Sequence, residues 1–221
     1  GALTKKLLKS GANVIAVEKD EALVQRLHVI FADEIAQGQL KVIESDIRDF
    51  QATSYGLQAS GYVLAANIPY YITGEIIRQF LETDVQPSAM ALLIQKEVAD
   101  RIIDKKESIL SLSVKAYGTP KIVARVSKGN FNPPPSVDSA IILISEISKK
   151  NFEKVSEKVF FDVVRTGFAS KRKQLAGNLT KKFGQEKVDT AFQKLNIDPT
   201  VRAEALPVET WFALSHSISQ A

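Results

Sequence analysis

A chain of 221 residues with 45% hydrophobic and 24% charged side chains has ordinary globular usage, which excludes disordered, collagen-like and fibrous classes. With no cysteine and two histidines, His28 and His216, it cannot build a disulfide framework, a thiolate nucleophile or a cysteine zinc site, and a histidine metal cluster or Ser-His-Asp hydrolase lacks material. The net charge of +4 is unevenly placed: residues 149–221 carry thirteen Lys/Arg against eight Asp/Glu, and the first 148 carry sixteen against seventeen. That asymmetry fits a near-neutral body joined to a part that meets a polyanion, or a solvated basic helix face.

In chain order, Gly1-Ala2-Leu3-Thr4 opens on what reads as the first helix of a sheet domain, over 3–8. Such a helix ordinarily follows a strand and a glycine turn, so the sequence is expected to begin inside a motif. A strand over 14–17, a helix over 21–32 and strands over 40–44 and 62–66 follow. The rhythm continues with a helix over 74–82, a strand over 89–94, helices over 96–103 and 109–117, and strands over 121–126 and 137–144. Strand and helix in alternation predict an α/β fold with a mostly parallel sheet. The loop 127–136 is too short for a helical crossover, so the last two strands should pair antiparallel, giving one antiparallel strand near the end of the sheet.

Beyond residue 148 the periodicity becomes helical, with helices expected over 155–168, 171–183, 187–195 and 208–217. The expected division is therefore a sheet domain over 1–147 and a small all-α domain over 148–221. No apolar run approaches the roughly eighteen residues of a spanning helix, and there is no signal-like start. No membrane partner and no metal are expected, and the address expected is cytoplasmic.

Three strand ends carry candidate chemistry. Glu18 closes the strand 14–17, where a carboxylate can accept both hydroxyls of a nucleoside ribose; the same acid would also suit a helix start. Asp46 ends the next strand and could accept from an adenine exocyclic amine, or serve as a turn aspartate. Asn67-Ile68-Pro69-Tyr70 presents an amide, a stiffened backbone and an aromatic ring after the strand 62–66. There the Asn67 oxygen and a nearby carbonyl can accept the two hydrogens of an exocyclic amine while Tyr70 stacks on the ring. Phe131, in the proline-rich loop Phe131-Asn132-Pro133-Pro134-Pro135, could supply a second aromatic face for a flipped base or plug the core. Gln95-Lys96-Glu97-Val98-Ala99-Asp100-Arg101 reads as mainly structural, with Glu97 and Arg101 spaced as an i,i+4 pair. Lys171-Arg172-Lys173, preceded by Arg165, is placed on a helix in the net-basic part, where phosphate contacts would be sequence-independent.

Taken in order, Gly1 to Thr4, Val17 to Asp20, Ser45-Asp46, Asn67 to Tyr70, Gln95 to Ala99, Phe131 to Ser139, Phe168 to Leu175 and Arg202 to Leu206 resemble the rRNA adenine N6,N6-dimethyltransferase family, nearest its bacterial small-subunit (16S) branch. The resemblance covers nearly the whole chain. It implies a class I methyltransferase fold of Rossmann-like type, S-adenosylmethionine (SAM) as cofactor without a metal, and a helical domain that engages rRNA. It further implies that Glu18 binds the SAM ribose and Asp46 its adenine amine, with Gly1, Lys19 and Ile47 beside them and Asn67 at the junction with the target base. Tyr70 and Phe131 would hold the target adenine, the backbone around Ile68 and Pro69 would complete the amine's acceptors, and Arg165, Lys171, Arg172 and Lys173 would meet RNA. The implied activity is dimethylation of two adjacent adenosines of small-subunit rRNA on a 30S assembly intermediate, by a monomer. Gly1 matches only the last glycine of the family's SAM loop, and 104–109 lacks the glycine and tyrosine pattern often found there. Two other readings stay open: an RNA-binding assembly factor without catalysis, and the related large-subunit rRNA adenine dimethyltransferase of macrolide resistance.

Overall fold

The structure is a computed structural model that describes residues 1–170 and 172–220. Its contacts divide into two units, Gly1–Gln58 and a second that runs from Ala59 to the end of the described chain. The first unit contains α1 (Ala2–Lys9), β1 (Val14–Glu18), α2 (Glu21–Ile30), α3 (Ala32–Ala36) and β2 (Leu40–Glu44). β1 and β2 pair in parallel from Val14↔Leu40 to Glu18↔Glu44, so both carboxyl ends fall on one edge. Leu8, Leu27, Phe31 and Leu40 form the core, with Val14, Ala16, Ile35 and Val42 packed against it. The single helix expected over 21–32 is two: the backbone leaves helical geometry at Phe31 (φ −117°, ψ 33°) while its ring is 97% buried in that core. Burial of a large aromatic outweighs the local preference for continuing the helix.

The second unit holds a four-stranded sheet of β3 (Val63–Asn67), β4 (Ala89–Gln95), β5 (Thr119–Val126) and β6 (Ser139–Ser145) in the order β3-β4-β6-β5. β3 and β4 are parallel, and β6 runs antiparallel to both β4 and β5, as the short connecting loop requires. The expected antiparallel strand is thus β6, which lies between β4 and β5, one strand from the end of the sheet. Alternate residues of β4 (Met90, Leu92, Ile94) and β6 (Ala140, Ile142, Ile144) are fully buried, the period-2 signature of one covered face. α4 (Thr73–Glu82), α5 (Lys96–Ile103) and α6 (Ile109–Tyr117) add Ile76, Ile77, Phe80, Leu81, Ile102 and Leu112 to the same core.

The tail of this unit is helical, with α7 (Glu157–Gly167), α8 (Leu175–Phe183), α9 (Gln185–Lys194) and α10 (Val208–Gln220). The change from strand to helix expected near 147/148 lies inside the second unit. α8 starts at Leu175 and not at 171: the Asn178 side chain donates to the carbonyls of Gly167 and Ser170 at 2.7 and 3.1 Å, and the Leu175 N–H donates to Val201 O at 2.8 Å. These bonds fix where α8 begins, so Arg172 and Lys173 sit before the helix instead of along it. The divergent stretch 104–109 also has a structural use. The buried Glu107 carboxylate accepts from Ser111 Oγ at 2.6 Å and Lys115 Nζ at 2.8 Å, while its N–H donates to Glu204 O at 2.8 Å, tying this loop to the Arg202–Leu206 block.

Gly167 is required by packing. A Cβ there would lie 2.5 Å from Trp211 Cη2 and 2.7 Å from Leu175 Cδ1, both fully buried. Gly167→Ala is expected to destabilise the protein by about 1–3 kcal/mol through overpacking, read as a lower urea midpoint with unchanged slope.

Candidate active site

In the first unit, Glu18 is the last residue of β1 and Lys19 and Asp20 turn the chain into α2. The helix cap is Asp20, whose side chain accepts from the Leu23 N–H at 3.0 Å, so Glu18 is not needed there. Instead the N–H groups of Lys19 and Asp20 donate to Glu18 Oε1 at 2.8 and 3.0 Å. Both acceptor positions of Oε1 are filled, and Oε2 accepts nothing among the described residues. The strand end therefore presents one oriented carboxylate oxygen with two open positions, suited to a pair of vicinal hydroxyls.

Asp46, just past the end of β2, is more constrained. Arg48 donates to it three times, from its backbone N–H (3.0 Å) and Nε (2.9 Å) to Oδ1 and from Nη2 (2.6 Å) to Oδ2; Lys19 Nζ donates to Oδ2 at 3.1 Å. The Arg48 side chain first, then its backbone N–H and Lys19, hold the Asp46 carboxyl well below the usual carboxylate range. The four acceptor positions of this carboxylate are all filled, so an incoming amine must displace one donor. Lys19, whose side chain is 72% exposed, is the donor held least firmly. The Lys19–Asp46 pair links the ends of β1 and β2, and Ile47 begins the turn that Asp46 caps. Gly1 caps α1, and a Cβ on it would come within 3.0 Å of the Phe31 ring and 3.1 Å of Leu27, a close approach that only glycine permits without a shift.

The second unit gathers Asn67, Pro69, Tyr70, Gln95 and the loop before β6 on one edge of its sheet, because the carboxyl end of β4 lies in register with the amino end of β6 (Gln95↔Ser139). Asn67 ends β3 opposite Leu93, and the next N–H, of buried Ile68, donates to Leu93 O at 3.3 Å. The backbone is fixed on both sides, while the exposed Asn67 carboxamide makes no hydrogen bond among the described residues. Pro69 starts a 3₁₀ turn over Tyr70–Ile72, and its carbonyl accepts the Ile72 N–H at 3.1 Å. Tyr70 is half-buried, with its hydroxyl 2.9 Å from the Oγ of Ser139, a fully buried residue.

Phe131 is half-buried in a loop closed by two bonds to Asp138: Lys128 N–H donates to its Oδ1, and Lys96 N–H to its carbonyl, each at 3.0 Å. A concavity of about 320 Å³ opens beside this loop, lined by Gln95, Lys96, Glu97, Lys128, Ser136, Val137 and Asp138. The Glu97–Arg101 pair is present at 3.5 Å, consistent with a structural role.

Among the basic candidates, Lys171 lies outside the described residues; Arg172 and Lys173 are exposed in the turn before α8. Arg165 is exposed on the last turn of α7 and lines a smaller concavity with Glu82, Tyr117, Glu157, Lys158 and Phe161, so acidic side chains share its surroundings. Among the described residues no cluster of three or more His, Asp or Glu could hold a metal ion, and no helix is long and apolar enough to cross a membrane. Sequence reasoning missed Arg48 and Ser139. The Asp-x-Arg spacing could have flagged the first; the second depends on register between distant strands.

A family model described as ribosomal RNA adenine dimethylase matches residues 1–220. The chain is similar to "Ribosomal RNA small subunit methyltransferase A" of Dehalococcoides mccartyi (strain CBDB1), 41% identical over 215 residues, covering 96% of this chain and 73% of that one. It is also similar to the protein of the same name in Mycoplasmopsis pulmonis, 36% identical over 218 residues, covering 97% and 82%. Among solved structures, a dimethyladenosine transferase from Plasmodium falciparum superposes with a TM-score of 0.75 at 22% identity, covering 91% of this chain and 80% of that one. The 23S rRNA methyltransferase ErmE superposes with a TM-score of 0.67 at 19% identity, covering 94% and 82%. At these identities the two structures speak for a shared fold, the Rossmann-like fold of methyltransferases.

Proposed function

Because the chain belongs to the ribosomal RNA adenine dimethylase family, we propose that it dimethylates the N6 amines of two adjacent adenosines in small-subunit (16S) rRNA, using SAM, as a cytoplasmic monomer acting on a 30S assembly intermediate. The observation that carries this reading is the Asn67 carboxamide, exposed and without a hydrogen-bond partner among the described residues on a backbone fixed at a strand end, next to a tyrosine whose hydroxyl is bonded to Ser139. When bound, SAM supplies a methyl group already activated by its sulfonium.

The cofactor's donors fit the carboxylates of the first unit. A ribose diol has two hydroxyls to give, and Glu18 Oε2 has two open positions. The adenine amine goes to Asp46 once Lys19 swings away, and the Arg48 fork keeps that carboxylate ionised and oriented meanwhile. Gly1, Lys19 and Ile47 are assigned to the same cofactor.

For the target base, Asn67 Oδ1 accepts one amine hydrogen and the Ile68 carbonyl, free of turn and loop hydrogen bonds among the described residues, accepts the other. Both hydrogens being held, the nitrogen lone pair points away from them. Tyr70 and Phe131 hold the ring, and Pro69 stiffens the backbone between amide and ring. So held by Asn67 and the Ile68 carbonyl, the amine nitrogen would take the methyl group that bound SAM would supply, and its proton would pass to water. No strong base is required, so catalysis is chiefly alignment. Arg165, Lys171, Arg172 and Lys173 are assigned to rRNA phosphates, and 148–221 to a domain that engages rRNA.

The test is transfer of labelled methyl groups from SAM to 30S particles that lack the modification, with primer extension to locate the product. Two dimethylated neighbouring adenosines in 16S rRNA are expected. No transfer would overturn the reading, and a product confined to large-subunit rRNA would reassign the substrate.

A further inference from the structure

Tyr71 is the only exposed aromatic ring among the described residues, at 89% exposure; every other Phe, Tyr and Trp is at least half-buried. It stands directly after Tyr70, and it makes no hydrogen bond, ring contact or cation contact there. Its backbone is nevertheless fixed. Pro69 and Ile72 close the 3₁₀ turn, the Tyr70 hydroxyl is bonded to buried Ser139, and Ile68 and Thr73 on either side are 96–97% buried. An aromatic ring on an immobilised backbone gives up little freedom when something flat settles on it.

We propose that Tyr71 is a stacking platform for the nucleobase adjacent to the target adenosine, making it a positioning residue for the RNA strand. This rests on the RNA-methylating reading above. With one base held at Tyr70, the next is tethered by a single phosphodiester, and the Cα of Tyr71 is only about 3.8 Å from that of Tyr70 along the chain. Every base has a π face, so the contact tolerates sequence and serves each of two neighbouring adenosines when the other occupies the reactive position. The division of labour follows from the two rings' environments: Tyr70, bonded to the sheet, fixes one base, and Tyr71, open to solvent, takes what lies beside it.

The test is fluorescence titration with an RNA stem-loop whose unpaired loop carries an adenosine flanked by 2-aminopurine. The unaltered protein should bind it and quench the 2-aminopurine. Tyr71→Ala should weaken binding by about 5- to 150-fold, the range for losing one base stack, and abolish the quenching. Tyr71→Phe should retain both, which a role for the hydroxyl would not allow, and binding of S-adenosylhomocysteine should be equal in all three. Quenching by Tyr71→Ala equal to that of the unaltered protein, or its loss in Tyr71→Phe, overturns the proposal while leaving the RNA reading intact. Failure of the unaltered protein to bind the stem-loop overturns both.

Discussion

Asn67→Ala is expected to lower methyl transfer by about 100- to 1,000-fold while leaving RNA affinity and thermal stability close to those of the unaltered protein. The loss corresponds to removing one preorganised partner of a reacting group. Stability should hold because the carboxamide makes no hydrogen bond among the described residues, and its backbone is secured by the β3–β4 ladder through Leu93 whatever the side chain. RNA affinity should hold because ring contacts and phosphate contacts come from other residues. Single-turnover methylation with the RNA bound in excess, beside an RNA titration, separates the effects. Asn67→Asp keeps an accepting oxygen and should fall between alanine and the unaltered protein. Equal loss of rate and RNA affinity in Asn67→Ala would show that the residue holds the strand and does not orient the amine.

Much of this site was legible because strand ends are places where a hydrophobic alternation stops and a polar residue begins. Glu18, Asp46 and Asn67 could each be found that way, and the structure sets all three at or just past the carboxyl ends of β1, β2 and β3. The environment of each residue was not legible. Whether an acid is open, like Glu18 Oε2, or saturated, like Asp46, depends on how Arg48 folds back and where Lys19 reaches. The Tyr70–Ser139 bond joins residues sixty-nine apart, fixed only when β6 enters beside β4. The same dependence on distant partners explains the helical misreadings. Periodicity continues through Phe31 and through 171–174, but core burial of the Phe31 ring breaks the first helix and the Asn178 bonds delay the start of α8. Arg172 and Lys173, expected on a helix, thereby lie in the turn before it.

Glu18 carries the second large effect. Glu18→Ala is expected to weaken S-adenosylhomocysteine binding by about 10- to 100-fold, the loss of one or two hydrogen bonds to a charged acceptor. The free Oε2 supplies the part that acts on the ligand; the N–H groups of Lys19 and Asp20 on Oε1 supply the part that keeps the carboxylate aimed. Glu18→Gln tells these apart. If the glutamine oxygen stays on the two N–H groups, an NH₂ replaces Oε2, presenting donors to hydroxyls that need an acceptor, and affinity should fall nearly as far as in alanine. If the amide turns over to offer its oxygen to the ribose, it sets its NH₂ against the two N–H groups instead, and the β1–α2 turn should loosen. Calorimetry on both variants, with amide exchange at Lys19 and Asp20, distinguishes the two responses. Unchanged affinity in Glu18→Ala would remove the ribose from this strand end and leave the carboxylate a local brace for the turn.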